Sequence, residues 1–264
     1  MAREKKISLK YFLNHRLIPQ KGKDGSDKYP VYIRITFYRK QTNVKLSIPG
    51  IDTLYWDEPA LSEFLDRKET GNLNSTEIRI VKQEAILREV IRRRYHKQKD
   101  KFTFEGIGEE MEYHFEKVLA LLHESTSSLL DNELKILLPP GQYEVVKNAD
   151  LADKYFAATA LSIGLKDQLS ESLQMMIKSF ASFCAFDAFR LKSTTVYSWY
   201  NEGDKEAYNQ FARQLINSDK VRENLLSKSQ VDNNMRLLSN FIDNLPKAAI
   251  LTDVIDNQIL AARP

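Results

Sequence analysis

Residues 29–48 of this chain, Tyr-Pro-Val-Tyr-Ile-Arg-Ile-Thr-Phe-Tyr-Arg-Lys-Gln-Thr-Asn-Val-Lys-Leu-Ser-Ile, leave few folds open. Val31, Ile33, Ile35 and Phe37 alternate with Tyr32, Arg34, Thr36 and Tyr38. After a polar turn over residues 38–41, Val44, Leu46 and Ile48 alternate with Asn43, Lys45 and Ser47. A period of two with β-branched and aromatic enrichment predicts a pair of half-buried strands. One face is apolar. The other carries arginine, lysine, asparagine, threonine, serine and tyrosine, and no carboxylate. Upstream, Ile7, Leu9, Tyr11 and Leu13 alternate with Ser8, Lys10, Phe12 and Asn14, so a third strand is expected over 6–14, joined to Tyr29 by the polar loop 19–28. Three consecutive strands with short polar links predict an antiparallel meander. So few strands need a cover over their apolar face.

The expected cover is the helix that begins at Asn74. Asn74 with Glu77 three residues on forms a capping-box pattern, and Ile78, Ile80, Val81, Ala85, Leu87, Val90 and Ile91 trace an apolar stripe. Glu84–Arg88 and Glu89–Arg93 have the spacing of surface ion pairs. The helix runs out through Arg92-Arg93-Arg94-Tyr95-His96-Lys97, matched either to the helix dipole or to a phosphate backbone. Tyr55 and Trp56 are expected to plug the sheet–helix junction.

Strand, basic loop, Tyr-Pro-Val-Tyr-Ile-Arg-Ile-Thr, hairpin, Trp-Asp turn and long helix together resemble the arm-type DNA-binding domain of phage-integrase-like tyrosine recombinases of bacterial mobile elements. The resemblance spans about residues 5–115 and takes in Lys101-Phe-Thr-Phe-Glu105 and a helix expected over 106–124. It implies that the polar sheet face enters a groove of double-stranded DNA. The residues agree: with the apolar face committed to the helix, Lys10, Tyr32, Arg34, Thr36, Asn43, Lys45 and Ser47 project outward, able to meet base edges. Arg39 and Lys40 at the turn, with Lys21, Lys23 and Lys28 in the loop, would sit on phosphates. The other reading of this face is the solvated side of a meander, where lysine and threonine are routine.

Charge is distributed to match. Residues 1–50 carry a net +9, residues 51–100 balance, and residues 101–264 carry −6 within an overall +3. A basic head on an acidic body suggests a polyanion partner for the head. The lone Cys184 lies in an apolar run and reads as a core residue. With no apolar run near the ~18 residues a span requires and no secretory h-region, the expectation is a cytoplasmic protein without a membrane partner.

Catalysis is not expected to carry over from the resemblance. A tyrosine recombinase needs a His-x-x-Arg pair beside its nucleophile, and the residues three beyond His15, His96, His114 and His123 are Ile18, Lys99, Lys117 and Thr126. Glu110 and His114 lie one helical turn apart without further ligands, and no phosphate-binding glycine loop is present. Neither a metal nor another cofactor is expected, and the chain reads as a non-enzyme.

Beyond residue 101 the pattern is helical. Helices are expected over 149–163, 167–191, 205–216, 219–245 and 248–261, with Phe180, Phe183, Phe186 and Phe189 on one buried face. Residues 193–200 read as an ordered loop or short strand, and Gly164 and Gly203 as helix punctuation. The fold class is thus α+β: a three-stranded antiparallel sheet packed on a helix, then an all-α domain. The boundaries are 1–100 for the arm-type domain, 101–138 for a helical connector and 139–264 for a bundle, with Pro139-Pro140-Gly141 as the break. Two functions follow. One is a non-catalytic DNA-binding protein of a mobile element, with a recombinase or other protein docking on the helical domain; a shortened recombinase is its variant. The other is a protein–protein adaptor working through the acidic helices.

Overall fold

A computed structural model describes residues 6–46, 54–229, 232–241 and 248–263. The architecture is α+β, in two compact units, residues 1–114 and 115–264. The division falls at His114/Phe115 and not at Pro139, because the helix expected over 106–124 is two: a short one over Ile107–Tyr113 closes the first unit, and Val118 starts a helix of the second. Pro140 stands at the first turn of a helix, where its missing N–H costs nothing.

In the first unit the strands are β1 (Ser8–Leu13), β2 (Gln20–Lys21), β3 (Asp27–Phe37), β4 (Lys40–Lys45) and β5 (Tyr55–Trp56). Among the described residues the sheet therefore has five strands, not three. The three expected ones pair antiparallel in the order β1-β3-β4, and the two-residue strands β2 and β5 pair with the N-terminal part of β3. These pairs are too short to leave a period-two signature, and so escape a pattern search. The turn is also tighter than the sequence suggests. Tyr38 and Arg39 alone form it, both with positive φ (51° and 61°), the two-residue geometry that matches the twist of the flanking strands. Glycine would hold the second of these positions without the left-handed penalty of a β-carbon. Arg39→Gly is accordingly expected to stabilise this unit by about 1 kcal/mol, seen as a higher urea midpoint.

Two helices, not one, follow the sheet: α1 (Glu58–Thr70) and α2 (Ser75–Gln98). Asp57 caps α1 by accepting from the Ala60 N–H, and Asn74 and Glu77 form the full capping box of α2. On the apolar face of the sheet Val31, Ile33, Ile35, Tyr11 and Leu13 are buried. Phe64 of α1 meets Tyr11 edge-on at 5.1 Å and Trp56 at 5.2 Å, while Tyr95 of α2 meets Phe37 at 5.3 Å. The junction role expected for Tyr55 and Trp56 is met by β5. Ile78 departs from its expected stripe and is 46% exposed. The expected helix-surface pairs give way to longer-range ones: Glu84 takes Lys68, Arg88 donates to the Ile7 carbonyl, and Arg93 takes Glu110 on the short helix α3 (Ile107–Tyr113).

The second unit is helical: α4 (Val118–Leu137), α5 (Pro140–Val146), α6 (Leu151–Leu161), α7 (Leu165–Gln168), α8 (Glu171–Arg190), α9 (Val196–Asn201), α10 (Asp204–Asn217), α11 (Asp219–Ser229), α12 (Asn233–Ser239) and α13 (Ala248–Ala261). The run expected over 167–191 breaks before Ser170, whose hydroxyl caps α8 through the Leu173 N–H. The run expected over 219–245 is α11 and α12, and its end at 242–245 lies outside the described residues. Within 193–200, residues 193–195 are the expected ordered loop, with Thr195 in an isolated antiparallel bridge to Lys117, and from Val196 the backbone turns helical, because Thr195 and Ser198 cap one another's backbone and start α9. Leu173, Ile177, Phe180, Ala181, Phe183, Cys184, Ala185 and Phe186 of α8 are buried, together with Ser179 and Ser182, as a helix enclosed on most sides requires. Phe183 and Phe186 join Trp199 and Tyr208 in an aromatic core, whereas Phe189, in the last turn of α8, is 56% exposed. Burial pushes the Cys184 thiol well above its ordinary range, in keeping with an inert core residue. Gly164 and Gly203 stand in the left-handed conformation at the starts of α7 and α10. No helix among the described residues is long and apolar enough to cross a membrane.

Candidate nucleic-acid interface

The face of the sheet turned away from α1 and α2 is a grid set by strand register. Lys10, Arg34 and Asn43 lie in one row across β1, β3 and β4. Phe12, Tyr32 and Lys45 form the row on one side, and Ser8, Thr36 and Gln41 the row on the other. Directly opposed side chains in such rows start about 5 Å apart. Seven of the nine residues are exposed, and Phe12 and Tyr32 are half-buried. None of the nine is acidic. With Arg39 at the hairpin tip the surface presents four cations: Lys10, Arg34, Arg39 and Lys45.

Arg34 sits at the centre. Its guanidinium lies over the Phe12 ring, 4.9 Å from the centroid, and among the described residues it has no carboxylate partner. Phe12 in turn packs against Tyr32, ring centroids 5.9 Å apart. The central cation is held by an aromatic surface and its donors remain open.

The structure brings together Lys10, Tyr32, Arg34, Thr36, Asn43 and Lys45, with Arg39 at the edge. Ser47 lies outside the described residues. Lys40 is on the other side: it pairs with Phe37, shares the face of Val44, and its Nζ donates to the Phe102 carbonyl. It ties the hairpin to the segment after α2, as does Tyr38, whose hydroxyl donates to Asp100 at 3.0 Å. Lys40 therefore stands apart from the grid, exposed but hydrogen-bonded within the fold. In the loop before β3, Lys21 is paired with Asp27 at 2.7 Å, an exposed bridge that costs little to exchange, while Lys23 is exposed. Ser8, Phe12 and Gln41 are members that the sequence reading did not assign. Gln41 was hidden by the longer turn expected there, and Phe12 shared the Ser8–Lys10 alternation.

The basic end of α2 is bound up in the fold. Arg93 and Arg94 both grip the Glu110 carboxylate, and Arg94 also donates to the Glu105 carbonyl. Desolvation pushes the Glu110 carboxyl up, but the hydrogen bonds from Arg94 and Arg93 outweigh it and hold the group below its ordinary range. Glu110 is thereby occupied, and among the described residues neither ring nitrogen of His114 has a hydrogen-bond partner. Among the described residues no three histidine, cysteine, aspartate or glutamate side chains gather as a metal site. Comparison with family models, curated proteins and solved structures finds no match to this chain.

Proposed function

We propose that the first unit binds double-stranded DNA, with the open face of β1, β3 and β4 in the major groove. Arg34 and Asn43 address base edges, and Lys10, Lys45 and Arg39 the flanking phosphates. The observation that supports this reading is a nine-residue outward grid with three cations, no acid and a central arginine without a carboxylate partner among the described residues, on a sheet whose other face is occupied by its own helices. A face kept open only for solubility has no need to exclude aspartate and glutamate from every position. In keeping with the resemblance to arm-type domains, the role is non-catalytic: an accessory DNA-binding protein of a mobile element, whose helical unit meets a recombinase or another protein. The test is a titration of fluorescently labelled duplex with the whole chain, followed by anisotropy. Binding at low salt that weakens steadily as salt rises supports the reading, and undetectable binding at low salt ends it.

A second reading, an adaptor acting through the helical unit, draws on Ile163 and Leu191, which are 100% and 93% exposed. It requires freshly purified protein to carry a protein partner and no nucleic acid, which the ratio of absorbance at 260 and 280 nm reports.

A further inference from the structure

We infer that Phe12 makes this surface selective for thymine beside guanine, its ring meeting the thymine C5-methyl while Arg34 donates to guanine O6 and N7. The inference rests on the duplex-binding reading above and adds the base step to it.

Phe12 is the one wholly apolar side chain in the outward grid. The core does not call for it, since the inward side of β1 is already furnished by Tyr11 and Leu13, both buried. Its surroundings are the Tyr32 ring at 5.9 Å and the Arg34 guanidinium at 4.9 Å. Two consequences follow. A guanidinium resting on a ring has lost part of its rotamer freedom before any ligand arrives, which lowers the cost of orienting its donors. Phe12 is also only half-buried, so part of it remains accessible on the surface that would face the groove.

In the major groove guanine offers two acceptors, O6 and N7, matched by an arginine fork. The thymine methyl is the groove's apolar feature, for which phenylalanine is a suitable contact. The 4.9 Å between guanidinium and ring is comparable with the base-pair rise of about 3.4 Å, so the two groups can address neighbouring base pairs. Arg34 on its own recognises guanine; ring and guanidinium together recognise a step.

The experiment starts with selection of bound sequences from a random duplex library by the intact chain. The selected duplex is then made twice, with thymidine and with deoxyuridine, which removes the C5-methyl and leaves all hydrogen-bonding groups in place. The selected sites are expected to contain thymine next to guanine, and the deoxyuridine duplex to bind about fourfold more weakly, the value of one buried methyl. Phe12→Ala is expected to bind both forms equally. If the wild-type chain binds both forms equally while binding stays salt-sensitive, the methyl contact is refuted and duplex binding stands. If Phe12→Ala folds and still prefers thymidine, the assignment to Phe12 is refuted. If the wild-type chain binds neither duplex, both readings fall. The wild-type comparison holds whether or not the variant folds.

Discussion

Glu110→Gln is expected to destabilise the first unit by about 3–5 kcal/mol, the cost of leaving buried cations without their counter-charge. Arg93 and Arg94 come from consecutive positions at the end of α2 and converge on this one carboxylate, with side-chain exposures of 21%, 16% and 11% for Arg93, Arg94 and Glu110. Gly106, with φ of 68°, starts the helix that carries Glu110, and a β-carbon there would come within 3.2 Å of the Arg94 Nη2. The chain therefore passes close beneath the arginine it must satisfy. Because the Glu110 carboxyl is held below its ordinary range, its contribution is complete above the unfolded-state pKa and is lost as pH falls through the depressed folded-state value. Hydrogen exchange resolves the effect. In the variant, amides of α2 and α3 lose protection, while those of α8, in the other unit, keep theirs. A loss below about 1 kcal/mol would mean that solvent already screens the cluster as it does a surface pair. Replacing all three residues by apolar ones of similar volume should recover much of the loss, since the penalty belongs to unpaired charge and not to the missing pair.

That cluster also marks where sequence reading reaches its end. Arg92-Arg93-Arg94 is a conspicuous run, and its two natural interpretations were a helix-dipole match and a phosphate contact. Neither anticipates a partner 16 or 17 residues ahead, because a contact across a turn leaves no periodicity. The hairpin was legible for the opposite reason. In a strand the side-chain period is two, so alternation alone assigns each residue to a face. Asn74 with Glu77 was legible because a capping box is local chemistry, complete within four residues. Helix α1 was missed because only Leu61 and Phe64 are buried along its thirteen residues, too few to stand out as a stripe. Residues 193–195 form the expected ordered loop, but residues 196–200 misled because Thr-Thr-Val-Tyr favours a strand by composition, whereas a reciprocal cap and the burial of Val196 and Trp199 set the backbone helical from Val196 on.

Within the candidate site the same contrast holds. Parity placed Lys10, Tyr32, Arg34, Thr36, Asn43 and Lys45 on one surface, and the register of β1, β3 and β4 keeps them there. Lys40 was expected within a four-residue turn. With two turn residues it becomes a strand residue of the same parity as Val44, and so lies on the helix side. Parity says nothing of which neighbours touch, so Phe12 could be placed on the face but not beneath Arg34.

The contact at the centre of the grid leads to the second large effect, on binding. Arg34→Ala is expected to reduce affinity for a selected duplex by about five- to 150-fold, the 1–3 kcal/mol of a bidentate arginine–guanine contact, while changing affinity for random duplex little. Lys23→Ala should do the reverse: a modest loss on every sequence, with the slope of log affinity against log salt shallower by about one. The contrast follows from position. Arg34 is flanked in its row by Lys10 and Asn43 and held over a ring, where the groove floor would lie, whereas Lys23 stands in the loop before β3. If each of Lys10, Arg39 and Lys45 neutralises one phosphate, they add about 0.9 each to the wild-type slope, so removing Arg34 should leave most of the salt dependence intact. A uniform loss across sequences with Arg34→Ala, accompanied by a change in slope, would instead move Arg34 to the backbone. The recognition would then have to come from Asn43, whose amide favours adenine and not guanine.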